Sequence, residues 1–142
     1  MSRVVQVANA IPGLADVMQE ATQMGVEAAQ MDGKVAQLSN FHFLHQHAEL
    51  GAASSFDYHT DRKNKSEGPL LQTVSVKLTE DPPRAYGSWM QMLGGEPVPY
   101  GKAEGSAIVF TSSVEHRSLE TSLDMGTVLK VVFFFEEVLA LD

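Results

Sequence analysis

Histidine and acidic side chains are the residues of this chain best suited to chemistry, because the 142-residue sequence contains five histidines and no cysteine. The most informative group is His59-Thr60-Asp61. A His and an Asp two positions apart at the end of a strand point to the same side, since strand side chains alternate with a period of two. His59 and Asp61 can therefore bind one metal ion together.

A third metal ligand has a single downstream candidate. His116 is the only histidine after Asp61, and it follows the apolar segment Ser106–Phe110, which is typical of a buried strand ending in a loop. Two histidines and one carboxylate on one face of a metal ion leave the other coordination positions open. That arrangement suits non-haem Fe(II) oxygenases. We therefore predict that His59, Asp61 and His116 form a catalytic metal site.

Lys130 stands out because it is the one cation in an otherwise apolar run from Val128 to Phe135. A buried lysine is costly unless it is paired. A dicarboxylate bound beside the metal would supply the missing negative charge.

Two kinds of element must position these residues. Apolar residues recur at three- and four-residue steps across residues 12–37, which predicts one helix. After Asn40 the chain favours short strands separated by Gly and Pro, at about 41–47, 70–78, 88–93, 106–111 and 127–135. The sequence thus predicts one helix followed by an all-β body, either a sandwich or a small barrel.

Composition narrows the classes of protein that fit. A chain of 142 residues with 44% apolar residues suits one globular domain spanning 1–142. The net charge of −8 and the ten Lys and Arg disfavour nucleic acid as a partner. We find no secretory signal and no run of about 18 apolar residues that would cross a membrane. The absence of cysteine fits a cytoplasmic location.

The same residues carry a family resemblance. The stretch from Phe56 to Phe135 resembles the double-stranded β-helix core of the 2-oxoglutarate/Fe(II) dioxygenases, and most of all the prolyl-hydroxylase-type branch. The resembling segments are 56–61, 105–110, 116–117 and 126–127 leading to Lys130. They cover a little over half of the chain.

The resemblance implies a mainly β jelly roll, with a β core over about 41–135 and the helix packed on one sheet. It implies hydroxylation of a small molecule or an exposed peptide side chain, using Fe(II), 2-oxoglutarate and molecular oxygen and releasing succinate and CO2. Asp61 fits hydroxylation, since halogenating members of the family have a small residue there. The oligomeric state is left open.

The resemblance also implies a co-substrate site. A basic residue after the distal histidine binds the far carboxylate of 2-oxoglutarate in this family, and Lys130 is its counterpart. The family often has this residue directly after the Gly-Thr pair, where this chain has Val128, so Lys77 stays as an alternative anchor. Arg117 and Ser75 are further candidates for contact with the co-substrate.

Two other functions compete with this interpretation. One is a jelly-roll binding module without turnover, against which the intact set of three ligands argues. The other is a cupin-like metalloenzyme that uses His45 and His47 with Glu49 behind them, although no histidine follows at Pro99-Tyr100-Gly101 to complete that pattern. His42 belongs to the same histidine cluster, whose role the sequence leaves undecided.

Overall fold

The described part of the chain is one helix followed by eight strands. This computed structural model describes residues 13–48, 53–55, 58–61, 70–79, 85–100, 105–122 and 126–138. The elements are α1 (Leu14–Met31), β1 (Ala36–Ala48), β2 (Ala53–Ser55), β3 (Leu70–Lys77), β4 (Ala85–Met92), β5 (Val98–Pro99), β6 (Ala107–Thr111), β7 (His116–Ser122) and β8 (Gly126–Glu137).

The strands form two four-stranded sheets, in the orders β1-β8-β3-β6 and β2-β7-β4-β5. Every pairing is antiparallel. Successive strands lie in alternate sheets except for β4 and β5, which pair with each other, and the pairs β1–β8 and β3–β6 in one sheet match β2–β7 and β4–β5 in the other. This nested pairing is the double-stranded β-helix, or jelly roll, and it confirms the predicted fold class.

Helix α1 packs on the outside of the sheet that contains β8, as predicted. Its buried residues are Leu14, Met18, Ala21, Gly25 and Ala29. They share one core with Val74, Val131, Phe133 and Phe135 of the sheet. Packing explains the glycine at position 25, because a Cβ atom there would lie 2.7 Å from the ring of Phe135.

The helix is shorter than predicted, since it ends at Met31 and not near residue 37. Gly33 adopts a φ of 72°, which favours glycine over other residues. The amides of Gly33 and Lys34 donate to the carbonyls of Gln30 and Ala29, which forms a Schellman motif. The Asp32-Gly33 pair therefore stops the helix, and β1 begins at Ala36, five residues before the predicted start of the β core.

Strand β7 was not predicted from the sequence, which placed His116 in a loop. In the structure His116 is the first residue of β7 and pairs with Met92 of β4. No helix among the described residues is long and apolar enough to cross a membrane.

Candidate metal centre

The fold brings His59, Asp61 and His116 together, with one potential ligand atom from each lying within 4.8 Å of the others. Asp61 Oδ1 lies 3.3 Å from His116 Nε2 and 3.7 Å from His59 Nε2. The two imidazole rings are 4.6 Å apart between centroids. The three side chains thus converge on one point, which a metal ion could occupy.

Backbone hydrogen bonds hold the segment that carries His59 and Asp61. His59 and His116 exchange both of their backbone hydrogen bonds, at 3.0 and 2.9 Å, and form an isolated antiparallel bridge. The amide of Asp61 donates to the carbonyl of Ser112 at 3.0 Å. Two of the three candidate ligands are therefore positioned by the backbone next to the third.

The Asp61 carboxylate is oriented by a chain of hydroxyl groups. Thr73 Oγ1 donates to Asp61 Oδ2 at 2.6 Å, and Ser112 Oγ lies 2.8 Å from Thr73 Oγ1. A hydroxyl has one proton, so Thr73 gives its proton to Asp61 and accepts one from Ser112. Oδ2 is held in this way, while Oδ1 faces both histidines.

His116 is set in the tautomer that a metal ligand needs. Its Nδ1 lies 2.7 Å from the carbonyl oxygen of Val114, which can only accept, so Nδ1 carries the proton. Nε2 then points toward Asp61. Burial lowers the pKa of His116, but the hydrogen bonds to Asp61 and Val114 and the charge of Asp61 outweigh it and raise the pKa overall. A metal ion would take the place of the proton on Nε2.

The two histidines differ in exposure, which indicates the open side of the site. The His59 side chain is 48% exposed, whereas that of His116 is 4% exposed. The ring of Phe110 packs against His116 at 4.4 Å between centroids. The site is therefore closed behind His116 and open beside His59.

Removing the Thr73 hydroxyl should loosen the metal site without removing a ligand. Thr73 is fully buried, so Thr73→Val keeps the side-chain volume but leaves Asp61 Oδ2 without its donor. Loss of a hydrogen bond to a metal ligand typically costs about 10- to 100-fold in metal affinity. We expect a drop of that size in an anaerobic Fe(II) titration. Thr111→Val, at an exposed threonine on the neighbouring strand, is the matched control and should leave the affinity unchanged.

A cavity of about 400 Å³ adjoins the three residues. All three line it, and so does Lys130, which is completely buried. The Nζ atom of Lys130 lies 4.6 Å from the ring centroid of the buried Tyr100. Ser75 and Ser118 also line the cavity. The wall of this cavity therefore has both a potential metal site and the side chain of Lys130.

The rest of the cavity wall is largely apolar. It includes Met90 of β4, Phe110 of β6, and Leu44, Val132 and Phe134 of β1 and β8. Such a wall keeps water away from a bound molecule, which strengthens the polar contacts that it makes.

His42 lies in the same wall, on β1. Its ring packs on Phe134 with 4.8 Å between centroids. Burial lowers the pKa of His42, and the charge of Asp61 offsets this only in part. Near neutral pH, His42 therefore presents a neutral imidazole to the cavity.

The other candidate residues lie in different places. Arg117 does not line the cavity; its Nε and Nη2 atoms donate to Gln91 Oε1 at 3.0 and 2.8 Å, and its guanidinium lies 4.6 Å from the ring of Tyr58. Lys77 is fully buried at the end of β3. The side chains of His45 and His47, and residue Glu49, lie outside the part of the chain that the structure describes.

The roles of three contributors to the site, Thr73, Ser112 and Tyr100, were not predicted from the sequence. Thr73 and Ser75 share a strand face by alternation, but nothing marked Thr73 as the partner of Asp61. Ser112 lies in the turn after β6, and Tyr100 directly follows β5, at positions where polar and aromatic residues are common for many reasons. Their roles depend on the pairing of β3 with β6 and on the position of the chain after β5.

The nested sheets and the outer helix define the class of fold, which is the double-stranded β-helix. No family model matches the sequence, and no curated protein does so. Solved structures do match. A 2OG-Fe(II) oxygenase family protein from Burkholderia pseudomallei superposes with a TM-score of 0.56, at 15% identity, over 89% of this chain and 57% of that one.

Two further structures share the fold. The non-heme monooxygenase ThoJ, in complex with nickel, gives a TM-score of 0.56 at 13% identity over 94% of this chain and 64% of its own. The viral collagen prolyl hydroxylase of Paramecium Bursaria Chlorella virus-1, in complex with 2OG, gives a TM-score of 0.51 at 14% identity. The match covers 90% of this chain and 76% of the viral protein. The chain thus spans between half and two thirds of the first two proteins and about three quarters of the third.

Proposed function

We propose that this chain is an Fe(II)- and 2-oxoglutarate-dependent oxygenase of the hydroxylase type, acting as one domain over residues 1–142. The observation that carries the proposal is the convergence of His59, Asp61 and His116 at one side of a cavity that also has Lys130 in its wall. Two histidines and one carboxylate are the donor set of non-haem Fe(II) oxygenases. The similarity in fold to proteins of that kind supports it.

The donor atoms fit such an ion chemically. His116 has its Nδ1 proton bound to Val114, so Nε2 is available, and Asp61 has one oxygen held by Thr73 and one directed to the histidines. Held by three ligands on one face, Fe(II) would keep open positions for a 2-oxo acid and molecular oxygen. When bound, the iron and 2-oxoglutarate supply the oxidising chemistry, with succinate and CO2 as co-products.

The protein residues then bind and orient the metal ion and the co-substrate. His59, Asp61 and His116 hold the metal, and Lys130 neutralises the far carboxylate of 2-oxoglutarate inside the sandwich. Ser75 is placed in the same wall, where its hydroxyl can donate to that carboxylate. The apolar wall described above excludes water from the reacting atoms. Arg117, which contacts Tyr58 and Gln91, would act by supporting the segment next to His59 and not by touching the co-substrate.

The primary substrate would approach from the side of His59, where the site is open. The acidic net charge and the modest cavity suit a small molecule or an exposed peptide side chain. One protein of similar fold is named a collagen prolyl hydroxylase, which is consistent with a peptide substrate here.

An anaerobic titration with Fe(II) and then 2-oxoglutarate tests the proposal. Chelation of Fe(II) by the keto acid is expected to give a visible charge-transfer band that neither component gives alone. Asp61→Ala, which lacks the carboxylate ligand, should give no band at the same concentrations. A wild-type protein that binds Fe(II) but develops no band on addition of 2-oxoglutarate would contradict the assignment of the co-substrate.

A further inference from the structure

The cavity opens to solvent between two histidines. Among the described residues that line it, only His42 and His59 are exposed, while the others are buried or half-buried. His42 lies on β1, and His59 belongs to the group of candidate metal ligands. A molecule that enters the cavity here therefore has His42 on one side and the metal centre on the other.

The side of the cavity formed by β1 and β8 is largely apolar. Four residues that line the cavity make up this side, which we call the β1 wall: His42, Leu44, Val132 and Phe134. His42 is the register partner of Val132, and residues directly opposite on antiparallel strands project from the same face. The ring of His42 packs on Phe134 with 4.8 Å between centroids. Because burial lowers the pKa of His42, the β1 wall has no formal charge near neutral pH.

The β1 wall would bind a charged group poorly. Such a group loses water on entering the cavity, and the four residues of the wall offer no opposite charge in return. A cation would also lie close to Lys130, which is the register partner of Leu44 and lines the same cavity. An anion would lie close to the two carboxylates of bound 2-oxoglutarate. An uncharged apolar group avoids these penalties, and a polar atom on it can bond to His42, because a neutral imidazole offers one donor and one acceptor.

We propose that the β1 wall binds the primary substrate and selects an uncharged, apolar group whose neighbouring amide, carbonyl or hydroxyl hydrogen-bonds to His42. The inference rests on the proposed function and goes further, because it gives the chemical class of the substrate and the residue that recognises it. A small molecule and a side chain of an exposed peptide share this chemistry. In this assignment His42 contacts the substrate, whereas His59, Asp61 and His116 hold the metal.

Binding of three simple probes to the Zn(II) protein with 2-oxoglutarate tests the selectivity. N-acetyl-leucinamide has an uncharged apolar side chain, whereas N-acetyl-lysinamide and the α-amide of N-acetyl-aspartate have one charge each. In protein with 13C-labelled histidine, the ring resonances of His42, assigned from the His42→Phe protein, report binding at the β1 wall. The leucine probe should shift these resonances and bind at least about tenfold more tightly than either charged probe. Equal affinities for the three probes, or no shift with the leucine probe, would overturn the proposal.

A calorimetric titration of His42→Phe tests the role of the imidazole. The variant keeps an aromatic ring next to Phe134 but removes the donor and the acceptor. It should bind the leucine probe about two- to tenfold more weakly, as expected for one lost hydrogen bond, and bind 2-oxoglutarate as the wild type does. Phe43→His, the reverse change on the opposite and exposed face of β1, is the matched control and should keep the wild-type affinity for the probe. Wild-type affinity in His42→Phe overturns the role of His42. A general loss of structure would also weaken 2-oxoglutarate binding, and so would not mimic the expected result.

A peptide probe distinguishes the two sources of the uncharged group. A glycine peptide with one leucine at its centre is compared with N-acetyl-leucinamide on the wild-type protein. Tighter binding of the peptide supports the proposal with an exposed peptide as substrate, and equal or weaker binding supports it with a small molecule. A wild-type protein that binds no 2-oxoglutarate overturns the proposed function, even if the leucine probe still shifts the His42 resonances. Normal binding of 2-oxoglutarate without a preference for the uncharged probe overturns the substrate class alone.

Discussion

Replacing any one of His59, Asp61 and His116 by alanine is expected to abolish tight Fe(II) binding. In the proposed site each would supply one of three protein ligands, and their ligand atoms lie within 4.8 Å of one another. Loss of a residue that only orients a ligand costs about 10- to 100-fold in metal affinity, so loss of a ligand itself should cost at least about 100-fold. Anaerobic titration with Fe(II), followed by its optical and calorimetric signals, measures this directly.

The three variants should differ in their effect on the fold. His116 is buried against Phe110, so His116→Ala leaves a void as well as a missing ligand. His59 is half exposed, so His59→Ala should change the thermal stability little. Asp61→Ala leaves the buried Thr73 hydroxyl without its acceptor. If affinity for Fe(II) falls equally in all three while stability does not, the shared effect is due to the metal site.

Histidine variants outside the group of three are the controls. His42→Ala removes an imidazole that lines the same cavity, and His45→Ala removes one from the competing cupin-like cluster. Both should bind Fe(II) nearly as the wild type does. Loss of metal from His45→Ala together with normal binding by His59→Ala would contradict the assignment and favour the cupin-like site.

The strands that could be predicted from the sequence have a common property. β3 and β8 are rich in β-branched and aromatic residues and are bounded by Gly or Pro, so local composition alone marks them. β7, with the sequence His-Arg-Ser-Leu-Glu-Thr-Ser, alternates polar residues without a strong apolar run. It becomes a strand because β4 and β2 pair with it on either side, which is a tertiary effect.

The candidate site also has features that local sequence predicts and features that depend on tertiary structure. The His-x-Asp spacing makes a shared metal predictable from two residues, since it depends only on strand alternation. The bond from Thr73 to Asp61 joins residues twelve apart, and the pairing of Lys77 with Lys130 joins residues more than fifty apart. These contacts depend on strand order, which local patterns do not encode. The order of the strands can be predicted only if the whole jelly roll is assumed, as the family resemblance implies.

Lys130→Met is expected to weaken binding of 2-oxoglutarate by at least about tenfold and to leave Fe(II) binding intact. Lys130 is completely buried and lines the cavity with its Nζ above the ring of Tyr100, so a carboxylate beside it would be desolvated. Breaking one partner of such a charge pair typically costs about 2–5 kcal/mol. At about 1.4 kcal/mol per tenfold in affinity, the lower end of that range already exceeds tenfold.

The choice of replacements separates charge from shape at this position. Methionine keeps most of the volume of Lys130 and can still pack on Tyr100, so a loss of affinity in Lys130→Met reports the missing charge. Lys130→Arg keeps the charge but places a wider, planar group in the same space, and should retain part of the affinity. The charge-transfer titration measures both variants, with the exposed Lys34→Met as control.

An unchanged titration for Lys130→Met beside a lost one for Lys77→Met would move the anchor to β3. If neither variant changed binding, both assignments of the carboxylate anchor would be contradicted, since 2-oxoglutarate would still bind without either lysine.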